Sequence, residues 1–112
     1  MTKTRWITEM GMGVDVHGGD YTKAARRAVS DALRHSSLNL FNATGKTRHD
    51  MFVDVLIGAA EPDQVDCDLV AQEVPYGTVT VTAQKGGLDV ASPAGDDVLI
   101  MANAAILVSF ED

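Results

Sequence analysis

From Arg5 to Val16 the chain alternates. Trp6, Met10, Met12, Val14 and Val16 fall on one side, broken only by Thr8, and Arg5, Glu9, Asp15 and His17 fall on the other with Ile7, Gly11 and Gly13 between them. A period of two predicts a strand. Gly18-Gly19 end it, and Asp20 has the side chain of a helix N-cap. Tyr21, Ala24, Ala25, Ala28, Val29, Ala32 and Leu33 then recur at the i, i+3, i+4 spacing of an amphipathic helix. Lys23, Arg26, Arg27, Asp31 and Arg34 occupy its other face, where Asp31 can pair with Arg27 or Arg34.

Leu38 to Asp50 reads as a connection, with Asn42 and Gly45 as turn residues. Met51, Val53, Val55 and Ile57 alternate with Phe52, Asp54 and Leu56, which predicts a second strand. Pro62 suits a helix start, and Asp63 to Val74 reads as a shorter helix with Val65, Leu69 and Val70 inward, stopped by Pro75. Gly77 to Gln84 sets Val79, Val81 and Ala83 against Thr78, Thr80, Thr82 and Gln84, a third strand. Lys85-Gly86-Gly87 reads as a hairpin turn, with Leu88 to Ala91 returning. After the Pro/Gly/Asp loop Ser92–Asp97, the stretch Val98–Phe110 is almost wholly apolar. That suits a central strand covered on both faces, with a helical stretch as the alternative that an apolar run leaves open.

The order is β-α-β-α-β-β-β. It predicts one α+β (mixed α/β) domain over residues 1–112, with a mixed sheet and two helices on one face. This chain supplies nothing to cover the other face. A homo-oligomer is therefore expected, since the last strand is apolar on both sides.

Composition narrows the partners. Nine basic residues stand against 16 acidic ones, a formal charge of −7, which argues against nucleic acid and against an anionic membrane surface. The single Cys67 excludes an internal disulfide and multi-cysteine zinc sites. There is no apolar run of about 18 residues and no apolar stretch behind the basic start. The expectation is a cytoplasmic protein with no membrane contact.

The candidate chemistry gathers where the first strand meets the helix. Asp15 and His17 stand two apart and so share a side, at the strand end where α/β folds place ligands. A carboxylate beside an imidazole fixes its tautomer and makes a general base. Gly18 and Gly19 let a ligand approach closely. Lys23 opposes the helix dipole, as a cation held for an anionic partner does. Asn103 interrupts an apolar strand, and Tyr76 follows the helix-stopping Pro75 at the sheet edge. Asp15, His17 and Lys23 are thus the catalytic candidates, with Gly18, Gly19, Tyr76 and Asn103 as ligand contacts. No metal is expected: His17 has Asp15 and Asp20 nearby, but no second His and no HExxH spacing. No cofactor is expected either. Gly45-Lys46-Thr47 lacks the earlier glycine of a phosphate loop, where Leu40 stands, and Gly11-Met12-Gly13 lies inside a strand. Cys67 lies between two aspartates, which raise a thiol pKa, and is read as non-catalytic.

The segment Met10-Gly-Met-Gly-Val-Asp-Val-His-Gly-Gly-Asp-Tyr-Thr-Lys-Ala-Ala, with Val74-Pro-Tyr-Gly, Gly86-Gly-Leu, Asp96-Asp97 and Ala102-Asn-Ala-Ala, resembles the Lin0512 family of conserved hypothetical proteins. The resemblance carries no settled activity. The element order is similar to Bacillus-type chorismate mutase and to the repeats of ring-opening amidases such as cyanuric acid hydrolase. Those folds place sites between sheet-packed units, which implies a subunit-interface site and, by analogy, three subunits. Two readings follow. One is a small-molecule binding or acid–base, amide-hydrolysing protein. The other is a non-catalytic assembly module in which Asp15, His17 and Lys23 tie subunits together.

Overall fold

The computed structural model describes residues 2–35 and 40–112. Strand β1 (Lys3–Asp15) leads into helix α1 (Tyr21–Leu33). A short helix α2 (Leu40–Thr44) and a 3-10 turn at Arg48–Asp50 precede β2 (Phe52–Ala59). A second 3-10 turn (Pro62–Gln64) and α3 (Cys67–Ala71) lead to β3 (Thr78–Lys85), β4 (Leu88–Ala91) and β5 (Val98–Glu111). The five strands form one mixed sheet in the order β1-β5-β2-β3, with β4 also paired to β5. Among the described residues no helix is long and apolar enough to cross a membrane.

The apolar stretch at the C-terminus is the central strand. Ile100, Ala102, Ala104, Ile106, Val108 and Phe110 of β5 are buried beneath the helices with Val53, Val55 and Ile57 of β2. α1 lies on β1 and β5 through Ala24, Ala25, Ala28 and Ala32, all fully buried. Glycine on the strand makes this approach close. A Cβ at Gly13 would stand 2.3 Å from the Ala24 carbonyl oxygen, and one at Gly11 2.4 Å from the Ala32 nitrogen. The helix backbone therefore rests directly on the strand backbone.

The methionine stripe of β1 looks away from the helices. Met10 and Met12 are exposed, and Met10 pairs with Ala105, Met12 with Asn103 and Val14 with Met101 across the open face. Trp6 leaves that stripe. A bulge between Arg5 and Ile7 shifts the register, and the Trp6 ring meets Phe110 edge-on, with centroids 6.4 Å apart. Phe41 of α2 meets the same ring at 6.3 Å.

Three expectations need correction. The connection after α1 contains α2; its expected start at Leu38 lies outside the described residues. The helix expected over 63–74 is a 3-10 turn followed by α3. Asp66 breaks it by accepting the backbone N–H groups of Asp68 and Leu69 as an N-cap, and Leu69 is left exposed. Most consequentially, β3 and β4 do not form a hairpin. β4 runs antiparallel to β5, in the same direction as β2, and takes the place along β5 that β2 vacates after Gly58 pairs with Asn103. Gly86 and Gly87 make the sidestep: Gly86 donates to the Ala59 carbonyl at 3.0 Å, and a Cβ on Gly87 would stand 2.3 Å from the Met101 carbonyl oxygen. Turn residues announced a change of path, but the vacancy on β5 decided where the chain went.

Candidate functional site

Asp15 ends β1 on the helix side and is 3% exposed. Its Oδ2 accepts the Asp20 backbone N–H at 2.9 Å, which closes the turn before α1. Its Oδ1 faces Lys23 Nζ at 3.6 Å and Arg27 Nη1 at 3.9 Å. Arg27 also donates to the Val14 carbonyl at 2.6 Å, and Met12 N–H donates to Asp31 at 3.0 Å. Asp31 pairs with His35 rather than with Arg27 or Arg34. The charged face of α1 thus bolts the helix to β1.

His17 does not join this group. Beyond the strand end its side chain is 87% exposed, and Nδ1 lies 3.1 Å from Asp97 Oδ2. The expected pairing with Asp15 is replaced by one with Asp97. Gly18, at φ 92, donates to Asp97 Oδ1 at 3.3 Å, and Val98 N–H donates to the same oxygen at 2.8 Å. These contacts, the Val98 N–H foremost and then His17 and Gly18, hold the Asp97 carboxyl below the usual carboxylate range. Its loop is itself fixed: Asp97 N–H donates to Ser92 Oγ, and Ser92 Oγ donates to Asp96. The result is an imidazole held at Nδ1 by an anchored carboxylate, with the Nε2 side of the ring in solvent. A ring held this way can accept or deliver a proton at Nε2.

A second carboxylate, Asp89, lies across β5 from Asp15. Asp15 and Asp89 both pair with Ile100, from opposite sides of β5, so they flank it on the helix face. Asp89 Oδ2 accepts the Tyr21 hydroxyl, while Oδ1 is buried without a hydrogen-bond partner among the described residues. The bond to Asp89, then burial, pushes the Tyr21 phenol up to about 12. Neither residue carried a signal of this in the sequence: Tyr21 read as core and Asp89 as a polar position on a short strand. Asp97 lay within a family-resembling block, but nothing tied it to His17.

The other candidates disperse. Gly19 packs beside Val98 and Ile100 in the same turn as Gly18. Tyr76 precedes β3, which runs parallel to β1 through the sheet, and so stands at the opposite end. There its ring meets His49 at 5.6 Å and the Arg48 guanidinium at 4.7 Å. Asn103 lies on the open face and accepts the Gly87 N–H at 3.1 Å, tying down the sidestep into β4. A cleft of about 600 Å³ between α1 and α3 is lined by Lys23, Arg26, Arg27, Asp66 and Glu73 among others. Its cations are engaged, because Lys23 and Arg27 face Asp15 and Arg26 meets Glu73 at 2.6 Å. Among the described residues no three His, Cys, Asp or Glu side chains converge as a metal site. Burial, then Asp68 and Asp66, pushes the Cys67 thiol up, away from nucleophilic use.

A single α+β domain with a mixed five-stranded sheet, helices on one face and an anchored imidazole at the strand end is the class defined here. The chain belongs to the Lin0512 family of conserved hypothetical proteins, whose profile matches residues 5–108. It is similar to the crystal structure of an FtsZ-like protein of unknown function from Nostoc punctiforme. The two are 34% identical over 100% of this chain and 99% of that one, with a TM-score of 0.89. No curated protein matches.

Proposed function

We propose that the protein is a homo-oligomer joined through the open face of its sheet, with a small-molecule site at the rim of that face where His17 Nε2 does acid–base work. The observation that carries this is the His17–Asp97 pair standing beside an apolar patch. His17 follows Val16 and Asp97 precedes Val98-Leu99, so the pair borders Val16, Leu99 and Val90, all exposed. The next row of the face is Val14, Met101 and Leu88. A second copy covering those rows encloses the imidazole on one side and excludes water from it. Small amides and carboxylic acids are the ligand class suited to a proton-transferring imidazole beside the Gly19 backbone, the Gly18 N–H being taken by Asp97.

Light scattering gives the subunit count; three is the number that the fold analogy suggests. Thermal-shift screening against small amides and carboxylic acids then compares the native protein with His17→Ala. The expected result is a multimer whose ligand-induced shift disappears in the variant while its unliganded melting temperature holds. A monomer, or an unaltered ligand response, overturns the reading.

One observation favours the assembly module instead. Asp15 and Lys23 are spent on each other and on the β1–α1 turn, which leaves the site with His17 as its one reactive candidate from the original three. On that reading His17→Ala dissociates the multimer and no ligand shifts either protein.

A further inference from the structure

We propose that the open edge of β3 pairs with the same edge of a second copy, antiparallel about a two-fold axis, joining two sheets into one. This surface is separate from the open face, and the inference stands independently of it.

The sheet has open edges at β1, β3 and the short β4. β1 is guarded. Its outward Met12 N–H and Val14 carbonyl are taken by Asp31 and Arg27 of α1, and its N-terminal part carries Lys3, Arg5, Glu9 and a bulge. Such devices keep edge strands from pairing with other chains. β3 has none of them. Its sequence, Thr-Val-Thr-Val-Thr-Ala-Gln-Lys, contains no proline and no charge before Lys85, and its register with β2 is unbroken.

The ladder fixes which groups are open. Thr78 N–H donates to Met51 O at 2.9 Å and Gly86 N–H to Ala59 O at 3.0 Å, both toward β2. By the period of two, Val79, Val81 and Ala83 turn their N–H and carbonyl groups to the open edge. Centred on Val81, an antiparallel pair exchanges these bonds. It sets Thr80 opposite Thr82 of the second copy, Thr78 opposite Gln84, and Val79 opposite Ala83. Polar side chains meet polar ones on the open face, and apolar ones meet beneath, where Val79, Val81 and Ala83 are half-buried. Cross-strand pairs of this kind stabilise a sheet.

Charge selects the same surface. At −7, most approaches between two copies are repulsive. The stretch Thr78–Gln84 has no acidic or basic residue, and the two Lys85 side chains fall at opposite ends of the paired strands. An eight-residue strand pair is small beside the roughly 800 Å² per partner of a standard stable interface, so the association is weak and reversible.

The test uses sedimentation velocity over a range of concentrations, with Met101→Asp in every protein to silence the open face. Two double variants are compared: Thr80→Lys with Thr82→Lys, and Thr80→Glu with Thr82→Glu. Both positions are exposed, so folding is spared. The parent should show a concentration-dependent doubling of mass. Each double variant alone should associate about tenfold more weakly, because like charges then stand opposite. An equimolar mixture should regain the parent's mass. A parent whose mass does not rise with concentration, double variants that associate as it does, or a mixture that fails to recover overturns the proposal.

Discussion

His17 Nδ1 and Asp97 Oδ2 lie 3.1 Å apart across 80 positions of sequence, and together they close the end of the sheet where β1 stops and β5 begins. Asp97 also accepts from the Gly18 and Val98 backbone, so one carboxylate organises the imidazole and both flanking turns.

That arrangement is acid-sensitive. The Asp97 carboxyl titrates below its ordinary value in the folded protein, so its contribution is present above about pH 4. It is lost as pH falls through the depressed folded value. Amide exchange at Gly18 and Val98, corrected for intrinsic rates, should therefore accelerate below about pH 4. In Asp97→Asn the same amides should be less protected at neutral pH and show no such step. Equal protection across this range would show that Asp97 does not hold the two turns.

Tyr21 and Asp89 predict an alkaline counterpart. The phenol is raised to about 12 against an ordinary value near 10, so the neutral form is favoured in the folded state. Stability should hold below pH 10 and fall above it, as the unfolded chain gives up that proton first. With Tyr76→Phe leaving Tyr21 as the remaining tyrosine, ultraviolet titration should find the phenolate appearing near 12. Tyr21→Phe should cost about 1–3 kcal/mol in urea unfolding, because it leaves the half-buried Asp89 carboxylate without its hydroxyl donor. A cost near zero would mean that water replaces the hydroxyl.

Gly13→Ala should destabilise by about 3 kcal/mol, at the upper end for overpacking, because its new methyl meets helix backbone that cannot rotate away. Urea denaturation measures this. Gly11→Ala should behave alike, since its Cβ would meet α1 backbone one turn further along. A loss below about 0.5 kcal/mol, as at a surface position, would show that α1 lifts freely from the sheet.

These glycines also mark where the sequence was legible. The seven-residue apolar pattern of α1 announces its element by its period, and the nearly continuous apolar run of β5, broken at Asn103, by its length. The alternation of β1 is equally plain, yet the side that packs on the helix is the one with glycines rather than methionines. Alternation shows that two sides differ; it does not show which one a helix backbone can approach. The sidestep at Gly86-Gly87 depends on where β2 ends, and the partner of His17 on a loop 80 residues away. Both are products of the assembled sheet. Asp15, Gly18, Gly19 and His17 were found together because they are neighbours in sequence around one strand end, whereas Tyr76 was added for its place after Pro75 at a sheet edge and Asn103 as a polar break in an apolar strand, neither of which says which end or face of the sheet it occupies.

The methionine side of the sheet yields the sharpest prediction. Val14, Met101 and Leu88 form one row across β1, β5 and β4, with Leu99 and Val90 beside it on the open face. Met101 stands at its centre on the middle strand and is already half-covered by its neighbours. If a second copy closes over this row, Met101→Asp buries a carboxylate without a partner, a cost of several kcal/mol for each subunit. The multimer should dissociate at micromolar concentration in light scattering. The monomer should stay folded by circular dichroism, because the Met101 side chain lies outside the core under the helices. Met101→Leu, which keeps the apolar volume, should retain the multimer. A Met101→Asp protein of unchanged mass would place the subunit interface elsewhere and leave the open face to solvent.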